Sequence, residues 1–154
     1  MPKRYSRYLP GNTEFSLEEF PYYWISLINA QYVLNIDFVL KKFGLDNSRR
    51  RVLLALKDSP NASISELSDT LISKMSTTTK IVYRLKEEDL VQTFSCEEDA
   101  RITRVILTDK GHEMVDKINN LTQVIMSKSY EGLTPAQIDK LNASLKVLFK
   151  NLKT

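Results

Sequence analysis

Residues 64–88 read ISELSDTLISKMSTTTKIVYRLKEE. Ile64, Leu67 and Leu71 recur at the spacing of a short amphipathic helix. Ser63 can cap that helix, and Glu66 lies in its first turn, where the helix dipole favours an acid. Three residues later a longer helix begins near Met75 and runs to about Glu88, with Met75, Ile81, Val82 and Leu85 inward. Asp89 follows at a point where helix ends often need a left-handed residue, which Asp tolerates better than most. A short helix, a tight turn and a longer helix make a helix-turn-helix. Ser76, Thr77, Thr79, Lys80 and Arg84 fall on the outer side or the N-terminal half of the second helix. Short hydroxyl side chains let a helix approach base edges and phosphates, and the two cations suit the DNA backbone. The same residues would also serve as ordinary caps and a solvated face, so the flanking segments carry weight.

Downstream, Leu90–Phe94 and the β-branched run Ile102–Leu107 are predicted strands, joined by a polar tip, Ser95–Arg101. A two-stranded wing directly after such a helix places Arg101 where a narrow, negatively charged minor groove would pass. Asp99 is positioned to brace the loop or Arg101 itself. Glu97 and Glu98 argue the other way, since they would repel phosphate.

Upstream, residues 1–15 hold two prolines, a glycine and three cations before the first acid, Glu14, and read as a loose arm. A first helix is expected from Ser16, which with Glu19 fits a capping box, to Gly44. It carries apolar residues on two faces, Tyr23, Trp24, Leu27, Ile28, Leu34 and Phe38 on one and Ile25, Tyr32, Val33, Ile36 and Val39 on the other. Such a helix must be covered on two sides. Asp46 or Asn47 can cap a second helix, Ser48–Lys57, with Val52, Leu53 and Leu56 inward. After the wing, Thr108 caps a long helix at roughly Asp109–Lys128, with Met114, Val115, Ile118, Leu121 and Ile125 inward. Thr134-Pro135 starts a last one, with Ile138, Leu141, Leu145, Leu148 and Leu152 inward.

Composition narrows the function. The chain has 154 residues, 42% hydrophobic and 27% charged, with 22 Lys+Arg against 19 Asp+Glu for a net charge of +3. That suits an anionic partner without requiring one. One cysteine cannot make an internal disulfide, and one histidine leaves little for a zinc site, so no metal and no cofactor is expected. Four scattered glycines cannot form a phosphate loop, and no G-x-S-x-G or paired acid–base constellation points to an enzyme. Apolar runs are too short to span a membrane, and no signal peptide is apparent, so the expected compartment is the cytoplasm.

Five segments, Ile64-Ser-Glu-Leu-Ser, Ser76–Val91, Asp99-Ala-Arg101, Leu107-Thr-Asp-Lys-Gly111 and the closing Leu-Thr-Pro helix, agree in order and spacing with one family. From about residue 18 onward the chain resembles the MarR family of bacterial winged-helix regulators. The resemblance implies a mainly α fold with a small β-wing. A winged helix-turn-helix core at 45–108 would be flanked by dimerisation helices at 16–44 and 109–154, behind an arm at 1–15. It implies a homodimer on double-stranded DNA, with Ser76, Thr77, Thr79 and Lys80 in the major groove and Arg101, supported by Asp99, in the flanking minor groove. Four positions depart from the family pattern. Ile72 and Asp89 replace frequent glycines, and Ser73 and Thr78 stand where apolar residues are usual.

Members of this family usually bind a small aromatic anion between the dimer helices and the winged core. Tyr23 and Trp24 with Leu27 and Ile28 offer an aromatic, apolar surface on the first helix. Arg49 and Val52 on the second would complete a pocket for an aromatic carboxylate. Aromatic residues at helical spacing are more often core than pocket, and first-turn arginines would also suit phosphate. Cys96 is expected to be an ordinary thiol whose pKa the neighbouring Glu97, Glu98 and Asp99 raise. His112 reads as structural. The expected function is a ligand-responsive repressor on a pseudo-palindromic operator; the alternative is a winged-helix module that binds protein.

Overall fold

The computed structural model describes residues 3–153. The elements run α1 Pro21–Leu40, α2 Asn47–Asp58, α3 Ile64–Leu71, α4 Met75–Glu87, β1 Val91–Ser95, β2 Thr103–Leu107, α5 Asp109–Ser129 and α6 Pro135–Leu152. Two compact units result, one ending at Leu121 and one starting at Thr122.

The first unit holds the winged helix-turn-helix. Its core is Val52, Leu53 and Leu56 of α2, Leu67 of α3, Val82 and Leu85 of α4, and Leu90 and Val105 of the wing, all at most 2% exposed. Ile36 and Leu40, at the C-terminal end of α1, and Val115 and Ile118 of α5 are also fully buried. Local chemistry places the helix starts. Asp46 accepts from the Arg49 amide at 2.9 Å, and Ser63 with Glu66 forms a complete capping box. Thr108 accepts from the Gly111 amide at 3.0 Å.

The wing is a two-stranded antiparallel ladder running from Val91 opposite Leu107 to Ser95 opposite Thr103. Its second strand is also tied to the helix-turn-helix, because Val105 donates its amide to the Ala62 carbonyl at 2.9 Å and Ser63 bridges Arg104. The cap of α3 and the wing are therefore one construction. At the other end of the ladder a Cβ on Gly111 would lie 2.1 Å from the Leu90 carbonyl oxygen, so only glycine lets α5 start this close to β1.

Several expectations need correction. The first helix begins at Pro21, since Ser16 makes no side-chain cap and Leu17–Glu19 forms a 3-10 turn instead. Proline as the first helical residue, after an extended Phe20, wins over the capping box. Residues 3–8, expected to be loose, form a 3-10 turn, and Arg7 pairs with Glu19 at 2.5 Å. On α4 the buried row is Thr78, Val82 and Leu85, whereas Met75 is exposed and Ile81 half-buried. Leu141, Leu145 and Leu152 are exposed, and α6 buries no residue.

Ile72 sits at φ 50°, ψ 54° at the end of α3, a left-handed conformation that a β-branched residue strains to adopt. Its side chain is 68% exposed, so removing it leaves no cavity. Ile72→Gly should therefore raise stability by roughly 0.5–1 kcal/mol, the relief of strain exceeding the entropy cost of glycine. Urea denaturation checks this, and an unchanged or lower midpoint contradicts it.

Candidate nucleic-acid interface

Helix α4 presents Ser76, Thr77, Lys80 and Arg84 to solvent, with Thr79 half-buried among them. Its first turn carries no acid, and Lys74 at the N-cap makes no side-chain hydrogen bond, so the helix start itself offers no carboxylate to compete with an incoming phosphate. Thr79 donates its hydroxyl to the Met75 carbonyl at 2.8 Å. Arg84 lies 3.6 Å from the carboxylate of Glu88, too far for a hydrogen bond.

The wing tip is organised around one ion pair. Asp99 accepts from Arg101 Nε at 3.1 Å, from Nη2 at 3.0 Å and from the Arg101 backbone amide at 3.0 Å. The tip is closed by Ile102 donating to the Asp99 carbonyl at 3.0 Å and Cys96 to the Ile102 carbonyl at 2.8 Å. The Arg101 side chain is nevertheless 91% exposed. Its guanidinium is aimed by one carboxylate while Nη1 stays available. The Arg101 side chain holds the Asp99 carboxyl below the usual range, and Asp99 in turn raises Arg101. A depressed carboxylate contributes its bond above its ordinary pKa and loses it only as pH falls through the lowered value. The brace is therefore intact at neutral pH.

A cleft of about 410 Å³ separates α4 from the wing, lined among others by Glu66, Thr79, Tyr83, Arg101 and Arg104. Tyr83 and Arg104 were not singled out from sequence. Tyr83 stands one turn after Thr79, so helical spacing could have found it. Arg104 donates to the Asn61 carbonyl at 3.1 Å and lies 3.8 Å from Glu66, a position set by the strand pairing.

The residues expected to hold an effector are only partly brought together. Tyr23 and Trp24 meet edge to face with centroids 5.3 Å apart, and the indole Nε1 donates to the Glu18 carbonyl at 2.7 Å. Trp24, Leu27 and Ile28 are all exposed. Val52 is wholly buried in the core and presents nothing to a ligand. Arg49 also needs correction. It is 5% exposed, with Nη1 2.5 Å from Glu88 and Nε 3.4 Å from Asp46, so two carboxylates already neutralise it.

The arginine turned toward α1 is its neighbour. Arg50 is 8% exposed, donates from Nη1 to the Tyr32 hydroxyl at 2.7 Å, and lies over that ring at 5.7 Å. Its Nε has no partner, and no ion pair to it is found among the described residues. Cys96 corrects another expectation. Its thiol is lowered, chiefly by the backbone amides of Glu98 and Asp99 and then by the Arg104 side chain. Donors in the turned-back tip outweigh the neighbouring acids. His112 is exposed at the start of α5.

Among the described residues no helix is long and apolar enough to cross a membrane. Residues 45–111 match a family described as a winged helix DNA-binding domain. The chain is 42% identical over 152 residues to the HTH-type transcriptional repressor IacR of Pseudomonas putida, covering 99% of this chain and 91% of that one. Two solved structures share its fold at 20% identity. A mutant MarR from E. coli complexed with operator DNA gives a TM-score of 0.74 over 81% of this chain and 90% of that one. BpsR of Bordetella bronchiseptica, described as regulated in DNA binding by 6-hydroxynicotinic acid, gives 0.76 over 87% and 96%.

Proposed function

Because the chain belongs to the MarR family of winged helix-turn-helix transcriptional regulators, we propose that it is a homodimeric DNA-binding repressor released by a small aromatic acid. The observation that carries the DNA reading is the pairing of two elements in one folded unit. The N-terminal half of α4, acid-free in its first turn, offers Ser76, Thr77 and Lys80, and the wing offers Arg101 pre-aimed by Asp99. A helix of this kind reads base edges in the major groove, and an exposed arginine fork suits the adjoining minor groove. In this reading Thr79 and Arg84 complete the contact surface.

Dimerisation is supported by apolar surface that the chain leaves uncovered. On α1, Trp24, Ile28, Leu34 and Phe38 are between 47% and 78% exposed. On α6, Leu141, Leu145, Val147, Phe149 and Leu152 are exposed as well. Single exposed hydrophobes are ordinary, but two helices each carrying a row of them are not.

For the effector, the anion anchor we favour is Arg50. A buried guanidinium without a carboxylate is costly, and an incoming carboxylate would offset that cost. Tyr32, already against Arg50, and the exposed ring of Trp24, two turns earlier on the same helix, supply aromatic surface. The acid that regulates BpsR belongs to the same chemical class. Calorimetry with benzoate, cinnamate, phenylacetate and indoleacetate is the test. Binding of at least one is expected, and Arg50→Met should weaken it by about 10- to 100-fold, the worth of a charged hydrogen bond. Equal affinity in wild type and variant would remove Arg50 from the site. Ligand and DNA must then weaken each other by the same factor.

A further inference from the structure

Arg49, freed from an effector role, has a different task at the far end of the recognition helix. Its Nη1 and the Nε of Arg84 approach the same oxygen, Glu88 Oε1, at 2.5 Å and 3.6 Å. The two claims are unequal. The Arg49 side chain is 6% exposed, close and in hydrogen-bond geometry, whereas that of Arg84 is 61% exposed and beyond hydrogen-bond range. Arg49 itself is fixed, since Asp46 takes its backbone amide at 2.9 Å and its Nε at 3.4 Å. Glu88 is fixed too, because Lys110 donates to its carbonyl at 2.9 Å and Thr108 donates to the next carbonyl, Asp89, at 2.6 Å.

We propose that Arg49 is a positioning residue for DNA binding: by occupying the Glu88 carboxylate, it keeps Arg84 on the outer face of α4 available to a phosphate. The electrostatics follow from the distances. Glu88 carries one negative charge and faces two guanidiniums, and the buried, shorter pair is the stronger because water screens it less. When DNA approaches, Arg84 can leave Glu88 without stranding it, since Arg49 stays. Without Arg49, Glu88, which caps the end of α4, would turn wholly to Arg84, four residues earlier, and hold it in a full ion pair. One phosphate contact would then be lost although no DNA-facing residue had changed. The sequence hides this arrangement, because Arg49 and Glu88 lie 39 positions apart.

The inference rests on the DNA-binding reading, and the experiment separates the two. Binding to a 30-bp random-sequence duplex is followed by fluorescence anisotropy across a salt series, for the folded protein and its variants. Each phosphate contact contributes about 0.9 to the slope of log affinity against log salt. In the wild-type background, Arg84→Ala should reduce that slope by about 0.9. In an Arg49→Met background the slope is already reduced by that amount, and adding Arg84→Ala should change nothing further. In a Glu88→Gln background, where no carboxylate competes, Arg84→Ala should again reduce the slope. This variant also serves as the control if Arg49→Met proves unstable, since the Glu88 side chain is 34% exposed at a helix end. A purely structural role for Arg49 would lower affinity without abolishing the Arg84→Ala effect. An equal effect of Arg84→Ala in all three backgrounds, or none in wild type, would overturn the inference. A wild-type protein with no salt-dependent DNA binding would instead overturn the reading beneath it.

Discussion

Placing a charge in each uncovered apolar row, with Phe38→Glu on α1 and Leu145→Glu on α6, is expected to abolish the dimer and, with it, operator binding. Phe38 is 78% exposed and Leu145 36%, so neither substitution opens a hole in the core. In a dimer interface each would bury an unpaired carboxylate, which costs several kcal/mol. The effect on DNA should be larger than that of any single contact. A two-fold dimer binds both half-sites at once, whereas a separated chain falls back toward non-specific affinity, a loss of about a thousandfold or more. Sedimentation of both proteins at micromolar concentration, with anisotropy on the same samples, is the check. A wild-type protein that sediments as a stable, folded monomer would reject the dimer, and a double variant that still sediments as a dimer would reject these two rows as its interface.

The second large effect concerns the wing. Arg101→Ala should weaken operator binding by about 10- to 100-fold, the range for one well-placed arginine at a base edge or in a narrow groove. The fold should not suffer, because that side chain is almost wholly exposed and bonds only to Asp99 among the described residues. Asp99→Asn should give a smaller loss of the same kind, since the amide can still accept one bond but cannot hold the fork. Lys80→Ala should lower affinity more evenly across DNA sequences if that ammonium neutralises a phosphate. Arg101→Ala binding as tightly as wild type would show that the wing does not read DNA.

Much of this architecture could be read from residue order, and the reasons are local. The caps at Asp46, Ser63, Thr108 and Thr134 are short-range chemistry, completed within three residues, and each forms as expected. The Asp99–Arg101 brace is equally local, two residues across a turn. The failures at the arginines share one cause: the outcome depended on packing between distant segments. Arg49, Arg50 and Arg51 are consecutive, so a helix sends them about 100° apart. Arg49 meets Glu88, Arg50 meets Tyr32, and Arg51 donates to the Leu71 carbonyl at 3.0 Å. Residue types alone could not say which of the three would be buried without a carboxylate.

Thr78 shows the same limit on a smaller scale. It is fully buried in line with Val82 and Leu85, although its hydroxyl finds no partner. A reading that sorts residues by polarity gives the inward place to Met75, the apolar neighbour one turn earlier. The wing tip misled for another reason. The acids next to Cys96 are plain in the sequence, but the peptide amides that fold back onto its sulfur exist only once the turn has formed.

Recognition of DNA sequence by α4 and the wing is tested by selection from a random-sequence duplex pool with the purified wild-type protein. A pseudo-palindromic site with half-sites about one helical turn, roughly 10 bp, apart should be enriched. Its affinity should fall steeply between about 50 and 200 mM salt. A pool that yields no enriched sequence, or binding that salt leaves unchanged, would exclude DNA recognition by α4 and the wing and favour a winged helix that binds protein.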